Sequence, residues 1–346
     1  VVPLPLQERK RPNHAINNRT VFAITGGIQG ISAEVAKYLA KQYQPSIALM
    51  DIVNIPKDIA ELAKMDEKDL EKFKLKLRQK LAEENQRVTP VMLEKEFARY
   101  TKAITAHKNI EELKALGANV IYRICDVTNA EIVKKTVDEI ADYFGKIDVV
   151  IHGAGLEESK SLANKKLHMF ELVFDVKARG CFHLVHAAQK HGLKSVVFFS
   201  SVAGRFGNIG QTDYSAANDL LNKYAAWINH NYPTTKGIAI NWSGWAEVGM
   251  ATRETIQRIL KEVGVSLIPV KQGVEIVKNE ILYCGKESEV VVAGELGFLD
   301  KEGLIVPVNK SVEAVEAKEK IQEKPEDFSL LGNVSYHYPE QAIQTT

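Results

Sequence analysis

The run from Thr20 to Asp51 limits the possible folds more than any other stretch. TVFAIT is a short apolar segment of the kind that forms a buried strand, and GGIQG breaks it. ISAEVAKYLAKQY then spaces its apolar residues as a helix does, and SIALMD is a second buried strand. Strand, turn, helix and strand in such close succession make a βαβ unit. Two strands joined in this way lie parallel, and helices must cover both faces of a parallel sheet. The expectation is an α/β fold with a doubly wound parallel sheet.

The same rhythm returns downstream. ANVIYRICDV, KIDVVIHGAG, LKSVVFFSS, KGIAINWSG and SEVVVAG read as further strands. Helical patterns cover 130–144, 166–189 and 214–231, and a helical pair covers 250–261 and 270–282. One stretch departs from it. Residues 55–116 are charged and lack glycine, and they read as helices near 57–65, 67–85 and 89–116. Thr89 and Pro90 suit the N-cap and first turn of the last. An ordinary unit needs one crossover helix here, so 55–116 is expected to be an insertion, either a solvated helical excursion or a docking surface for a neighbouring domain. Residues 1–19, with several prolines and no periodicity, read as a linker, 20–305 as one domain, and 306–346 as a tail or linker. A chain that opens on Val1 with loose ends reads as a piece of a longer polypeptide, with a processed or truncated single protein as the alternative.

A net charge of +1 gives no global attraction to nucleic acid or to an anionic membrane. No apolar run is long enough to span a bilayer. The three cysteines, Cys125, Cys181 and Cys284, are widely spaced and read as reduced thiols in a cytoplasmic protein. The histidines lack metal-ligand spacing, so no metal site is expected.

Chemistry concentrates at the strand ends. Thr25, Gly26, Gly27, Gln29, Gly30 and Ile31 form a TGGxxGI turn between strand and helix. Glycines there let the backbone approach a pyrophosphate, and the helix points free N–H groups at it. Asp51, closing the second strand, either accepts hydrogen bonds from an adenosine ribose, which favours NAD, or is a plain strand-end aspartate. Asp126 and Val127 follow the third strand and would reach an adenine edge. Gly153, Ala154 and Gly155 follow the fourth and would let the backbone approach the two riboses. The fifth strand ends in Ser200 and Ser201. A glycine-bearing loop leads to Tyr214, and Asn218 stands four residues later on the same helical face. Lys177 lies in VFDVKARGCFHL, a helix too apolar to accept an unpaired lysine without a reason.

Together these residues resemble the short-chain dehydrogenase/reductase superfamily, through TGGxxGI, the CDV at 125–127, the HGAG at 152–155 and SSVAG followed by Tyr214. Most members carry the catalytic lysine four residues after the tyrosine. Here Asn218 stands at that position and Lys177 lies upstream, the exchange that marks ketoreductase domains of modular polyketide synthases. The pair Asn241-Trp242, with Trp245 following, fits the same group. A closer resemblance is to the ketoreductases of polyunsaturated fatty acid synthases and related iterative synthases, through Gly26 to Glu34, Thr89-Pro90-Val91 and Leu267-Ile268-Pro269.

The resemblance implies a Rossmann-type sheet and reduction of a 3-oxoacyl thioester to the 3-hydroxyacyl thioester. The substrate would be delivered by an acyl carrier protein among neighbouring synthase domains. It implies Tyr214 as proton donor, Ser201 holding the carbonyl oxygen, Lys177 supplying positive charge, and Asn218 positioning the lysine or a relay water. NADP(H) is the cofactor it implies. NAD(H) stands beside it, because Asp51 occupies a place where NADPH-dependent members usually carry a basic residue. Residues 250–269 read either as a lid over the substrate or as a packed surface helix, with Trp245 and Met250 as candidate acyl-arm contacts. The alternatives are a free-standing NAD(P)-dependent alcohol dehydrogenase and a non-catalytic scaffold domain.

Overall fold

The computed structural model describes residues 15–84, 88–249, 264–283 and 287–294. Seven strands form one parallel sheet: β1 (Val21–Thr25), β2 (Ser46–Asp51), β3 (Asn119–Ile124), β4 (Val149–His152), β5 (Ser195–Ser201), β6 (Lys236–Trp242) and β7 (Glu289–Val292). Their order is β3-β2-β1-β4-β5-β6-β7. All seven fall where the short apolar runs place them, and the sheet is the doubly wound one that the βαβ opening demands.

Alternation along each strand feeds two cores. Phe22, Ile24, Ile47, Leu49, Ile151, Val197, Phe199 and Ile240 face one side. There they pack against α1 (Gly30–Tyr43), α4 (Pro90–Ala115) and α9 (Val270–Tyr283). Ala23, Ala48, Met50, Val150, Val196, Phe198 and Ala239 face the other, under α5 (Ala130–Phe144), α6 (Leu167–Gln189) and α8 (Thr212–Asn231). Three layers result, and the helices that carry Lys177 and Tyr214 share one of them.

Between β2 and β3 the chain forms α2 (Ile59–Leu62), α3 (Glu67–Glu84) and α4. Thr89 caps α4 by accepting from the Met92 N–H at 3.2 Å. The stretch does two jobs. Ala106, Ile110 and Leu113 of α4 enter the main core, and Glu112 pairs with Lys37 of α1 at 2.8 Å, so the second half of α4 is the crossover helix. Ile59 and Leu62 of α2 form a separate small cluster with Ala103 and Ile104 near the middle of α4. Only this outer part is additional to the βαβ plan.

Near the amino end, Ile16 is buried in the main core, inside the stretch expected to be a linker. The expected helix at 250–261, the acyl-arm candidate Met250, Cys284 and the tail 306–346 lie outside the described residues. Among the described residues, no helix is long and apolar enough to cross a membrane.

Candidate active site

The sheet's connections diverge between β1 and β4, which are neighbours in space. In doubly wound sheets the crevice at such a point, beyond the carboxyl ends of the strands, is where ligands bind. Gly26 lies there with φ +65°, and a Cβ on it would come within 3.0 Å of the Ala154 nitrogen. Gly30, φ +61°, opens onto free space at the start of α1. No side chain caps α1, and its first turn holds no acidic residue. A bare helix terminus above a backbone-lined cradle fits a dinucleotide diphosphate.

Ser32, where a glycine is common, is buried against Gly153; a Cβ on Gly153 would fall 2.0 Å from its hydroxyl. Asp51 ends β2 beside this cradle. Burial lifts its carboxyl above the usual carboxylate range, against the amides of Ile52 and Val53 and the charge of Lys102, which pull it down. Asp126 is exposed and spends one oxygen on the amide and hydroxyl of Thr128, at 3.0 and 2.8 Å. Val127 is buried, and its carbonyl meets His183 Nδ1 at 2.9 Å.

The expected catalytic residues lie one strand further along. Lys177 is buried on α6; its Nζ donates to the Phe199 carbonyl at 2.7 Å and stands 5.7 Å from the Tyr214 ring centre. Burial pushes its pKa down to about 8. Tyr214, on the first turn of α8, is half-buried. Burial raises its phenol, Ser201 and Asn218 lower it by hydrogen bonding, and the charge of Glu157 raises it. Asn218 is fully buried. Its Nδ2 donates to the Tyr214 carbonyl at 2.7 Å, which leaves Oδ1 without a partner among the described residues.

The two serines separate cleanly. Ser200 is buried and committed, with its hydroxyl on the Asn218 carbonyl and Asn241 Oδ1 at 3.1 and 2.9 Å. Ser201 is half-buried and faces the phenol. It also caps a short helix, α7 (Val202–Phe206), by accepting from the Ala203 amide at 3.1 Å. The sequence predicts only a glycine-bearing loop at this point. The glycine serves contact here: a Cβ on Gly204 would sit 2.6 Å from Asn218 Cβ, so α7 lies directly on α8.

His152 is a link that the sequence pattern does not reveal. It is fully buried, with Nδ1 2.8 Å from the Thr25 hydroxyl and Nε2 3.1 Å from the Lys177 carbonyl. Burial, then the charge of Lys177, push its pKa down to about 3, so the ring is neutral. A carbonyl only accepts, so Nε2 carries the proton and Thr25 donates to Nδ1. The cradle and the lysine helix are thereby tied through one imidazole.

Residues 20–247 match the family model described as "KR domain". The chain belongs to the KR domain family. Similar curated proteins include a polyunsaturated fatty acid synthase component of Thraustochytrium sp., 28% identical over 279 residues, which span 78% of this chain and 10% of that protein. Polyketide synthase PksN of Bacillus subtilis is 28% identical over 61% of this chain and 4% of its own length. The 3-oxoacyl-[acyl-carrier-protein] reductase FabG of Thermotoga maritima is 25% identical over 57% of this chain and 82% of its own. The KR domain described here thus spans a small fraction of the synthases it matches.

Solved structures agree on the fold. A ketoreductase domain from the bacillaene assembly line superposes with a TM-score of 0.63 at 23% identity, covering 85% of this chain and 60% of that one. A Burkholderia cenocepacia short-chain dehydrogenase in complex with NADP gives 0.60 at 16%, covering 81% and 98%. Of the expected acyl-arm pair, Trp245 is the one within the described residues. Trp245 is buried in the main core, its ring 5.0 Å from that of Trp242 and stacked on Gly273, where a Cβ would fall 2.2 Å from the indole. Among the described residues the indole is enclosed by the core.

Proposed function

We propose that this KR domain reduces a 3-oxoacyl thioester, presented by an acyl carrier protein, to the 3-hydroxyacyl thioester within a cytoplasmic polyketide or fatty acid synthase. One observation carries the reading. Lys177, Ser201, Tyr214 and Asn218 come from three separate elements and meet at one cleft, with the lysine arriving from α6. The relatives named as polyunsaturated fatty acid and polyketide synthases, and the one named as a 3-oxoacyl-[acyl-carrier-protein] reductase, support the thioester and its carrier. The acyl carrier protein and neighbouring synthase domains are the partners this reading requires.

Residues 25–31 and 153–155 would hold a nicotinamide cofactor, which would supply the hydride. Everything else falls to the chain's own side chains. Ser201 donates a hydrogen bond to the carbonyl oxygen and so favours the negative charge that grows there. Tyr214 passes its phenolic proton to that oxygen as the carbonyl carbon is reduced. The neighbouring ammonium of Lys177 stabilises the phenolate left behind. Asn218 Oδ1 offers an acceptor to a water that restores the proton.

NADPH is the cofactor of this reading. Lys102 of α4 adds a cation beside Asp51, which suits an extra phosphate better than the aspartate alone. The second reading is a free-standing alcohol dehydrogenase using NADH, and the Asp51 carboxylate favours it. Turnover of a 3-oxoacyl pantetheine thioester and of a simple ketone, each with NADPH and with NADH, separates the two. The proposal expects thioester turnover with NADPH to lead and to give one enantiomer. Faster turnover of the ketone with NADH would overturn it.

A further inference from the structure

An ion pair hidden beside the tyrosine has no part in the chemistry above. Lys165 precedes α6 and Asp213 precedes Tyr214, and each side chain is only 1% exposed. The Lys165 ammonium donates to Asp213 Oδ1 at 2.6 Å and to the Glu158 carbonyl at 2.7 Å. That same Oδ1 accepts from the Tyr214 amide at 2.9 Å. One carboxylate oxygen therefore holds the backbone of the proposed proton donor and, through the lysine, the loop after β4.

This loop also forms a wall of the cleft. It starts at Gly155, where a Cβ would fall 2.8 Å from Lys177 Cε, and it includes Glu157, whose charge acts on the Tyr214 phenol. Two further bonds run along the seam. Gln211 donates to Glu157 at 3.0 Å, and the Lys160 amide donates to the Gly210 carbonyl at 3.0 Å. A buried ion pair is a poor choice for stability alone, because an apolar pair of similar volume serves as well or better. What the pair adds is direction: short charged bonds with a fixed geometry, placed one residue from the phenol.

We propose that Lys165 and Asp213 are positioning residues. Their clasp fixes the Tyr214 hydroxyl against the 156–160 wall, and so fixes the orientation in which a carbonyl is presented for reduction. The inference rests on the ketoreductase reading of the site.

The test compares wild type, Lys165→Met and the double variant Lys165→Met/Asp213→Leu. A 3-oxoacyl pantetheine thioester and a cyclic ketone serve as substrates. The readouts are kcat, KM, NADPH Kd, Tm and the enantiomeric ratio of the product. Displacement of a catalytic group by a fraction of an ångström to an ångström lowers kcat about 10- to 100-fold. Lys165→Met should show such a loss with NADPH Kd unchanged and with a product of mixed configuration. Restoring an apolar pair should return Tm towards wild type without returning kcat or enantiomeric purity. Where Lys165→Met does not fold, the double variant alone carries the comparison. Wild-type kcat and purity in the double variant would overturn the proposal, leaving the pair a packing device. A wild type inert towards both substrates would instead overturn the ketoreductase reading, and the proposal with it.

Discussion

Lys177 shows how a single residue's surroundings set its chemistry. An ammonium enclosed by protein loses hydration, and its pKa falls from 10.5 to about 8. The cation is present below that value and lost above it. Turnover should therefore decline as the pH passes through about 8, and a pH–rate profile checks this. The same shift works the other way on stability: the unfolded chain holds more protons between about 8 and 10.5, so unfolding free energy should rise with pH across that window. Gly155→Ala tests the position of the group. Its methyl would need the space 2.8 Å from Lys177 Cε, and moving the lysine breaks its bond to Phe199. A kcat loss of about 10-fold is expected, read by steady-state kinetics.

At the scale of elements, α4 joins the cofactor cradle to the additional helices. Asn109, on its second half, donates to the Ile28 carbonyl of the glycine turn at 2.7 Å. A hydrogen bond of this kind is worth about 1 kcal/mol, so Asn109→Ala should weaken cofactor binding about 5-fold, measured by calorimetry. The sequence made the helix and its Thr89 cap visible through a run without glycine and a TP start. It did not show that half the helix belongs to the core, because α4 is charged along much of its length and its buried stripe is narrow. α7 was hidden for a related reason. A five-residue helix with glycine in its centre has no periodicity to detect, and only the close approach to Asn218 explains the glycine.

Over the whole molecule, the sheet was readable because its strands are short apolar runs separated by helices of clear period, and parallel order follows from that alternation. The four candidate catalytic residues follow from the order of motifs along the chain. Contacts between distant segments left no such trace: His152 with Thr25 and Lys177, Lys165 with Asp213, and Asn109 with Ile28 are separated by 25 to 127 positions. Trp245 likewise carries no sequence trace of its burial, since an indole after a strand end looks the same whether it faces a cleft or a core. Trp245→Ala should cost about 3–5 kcal/mol in denaturant unfolding. Thioester KM should stay unchanged in whatever fraction remains folded.

The proposed step is protonation of a carbonyl oxygen at this cleft by a phenol on α8, assisted by a lysine from α6. Wild type and Tyr214→Phe compared in one assay, with NADPH oxidation on a 3-oxoacyl pantetheine thioester beside NADPH Kd, test it directly. Loss of a positioned general acid costs about 100- to 10,000-fold in rate. A loss of that size with Kd unchanged is expected. Tyr214→Phe turning over at the wild-type rate would contradict it.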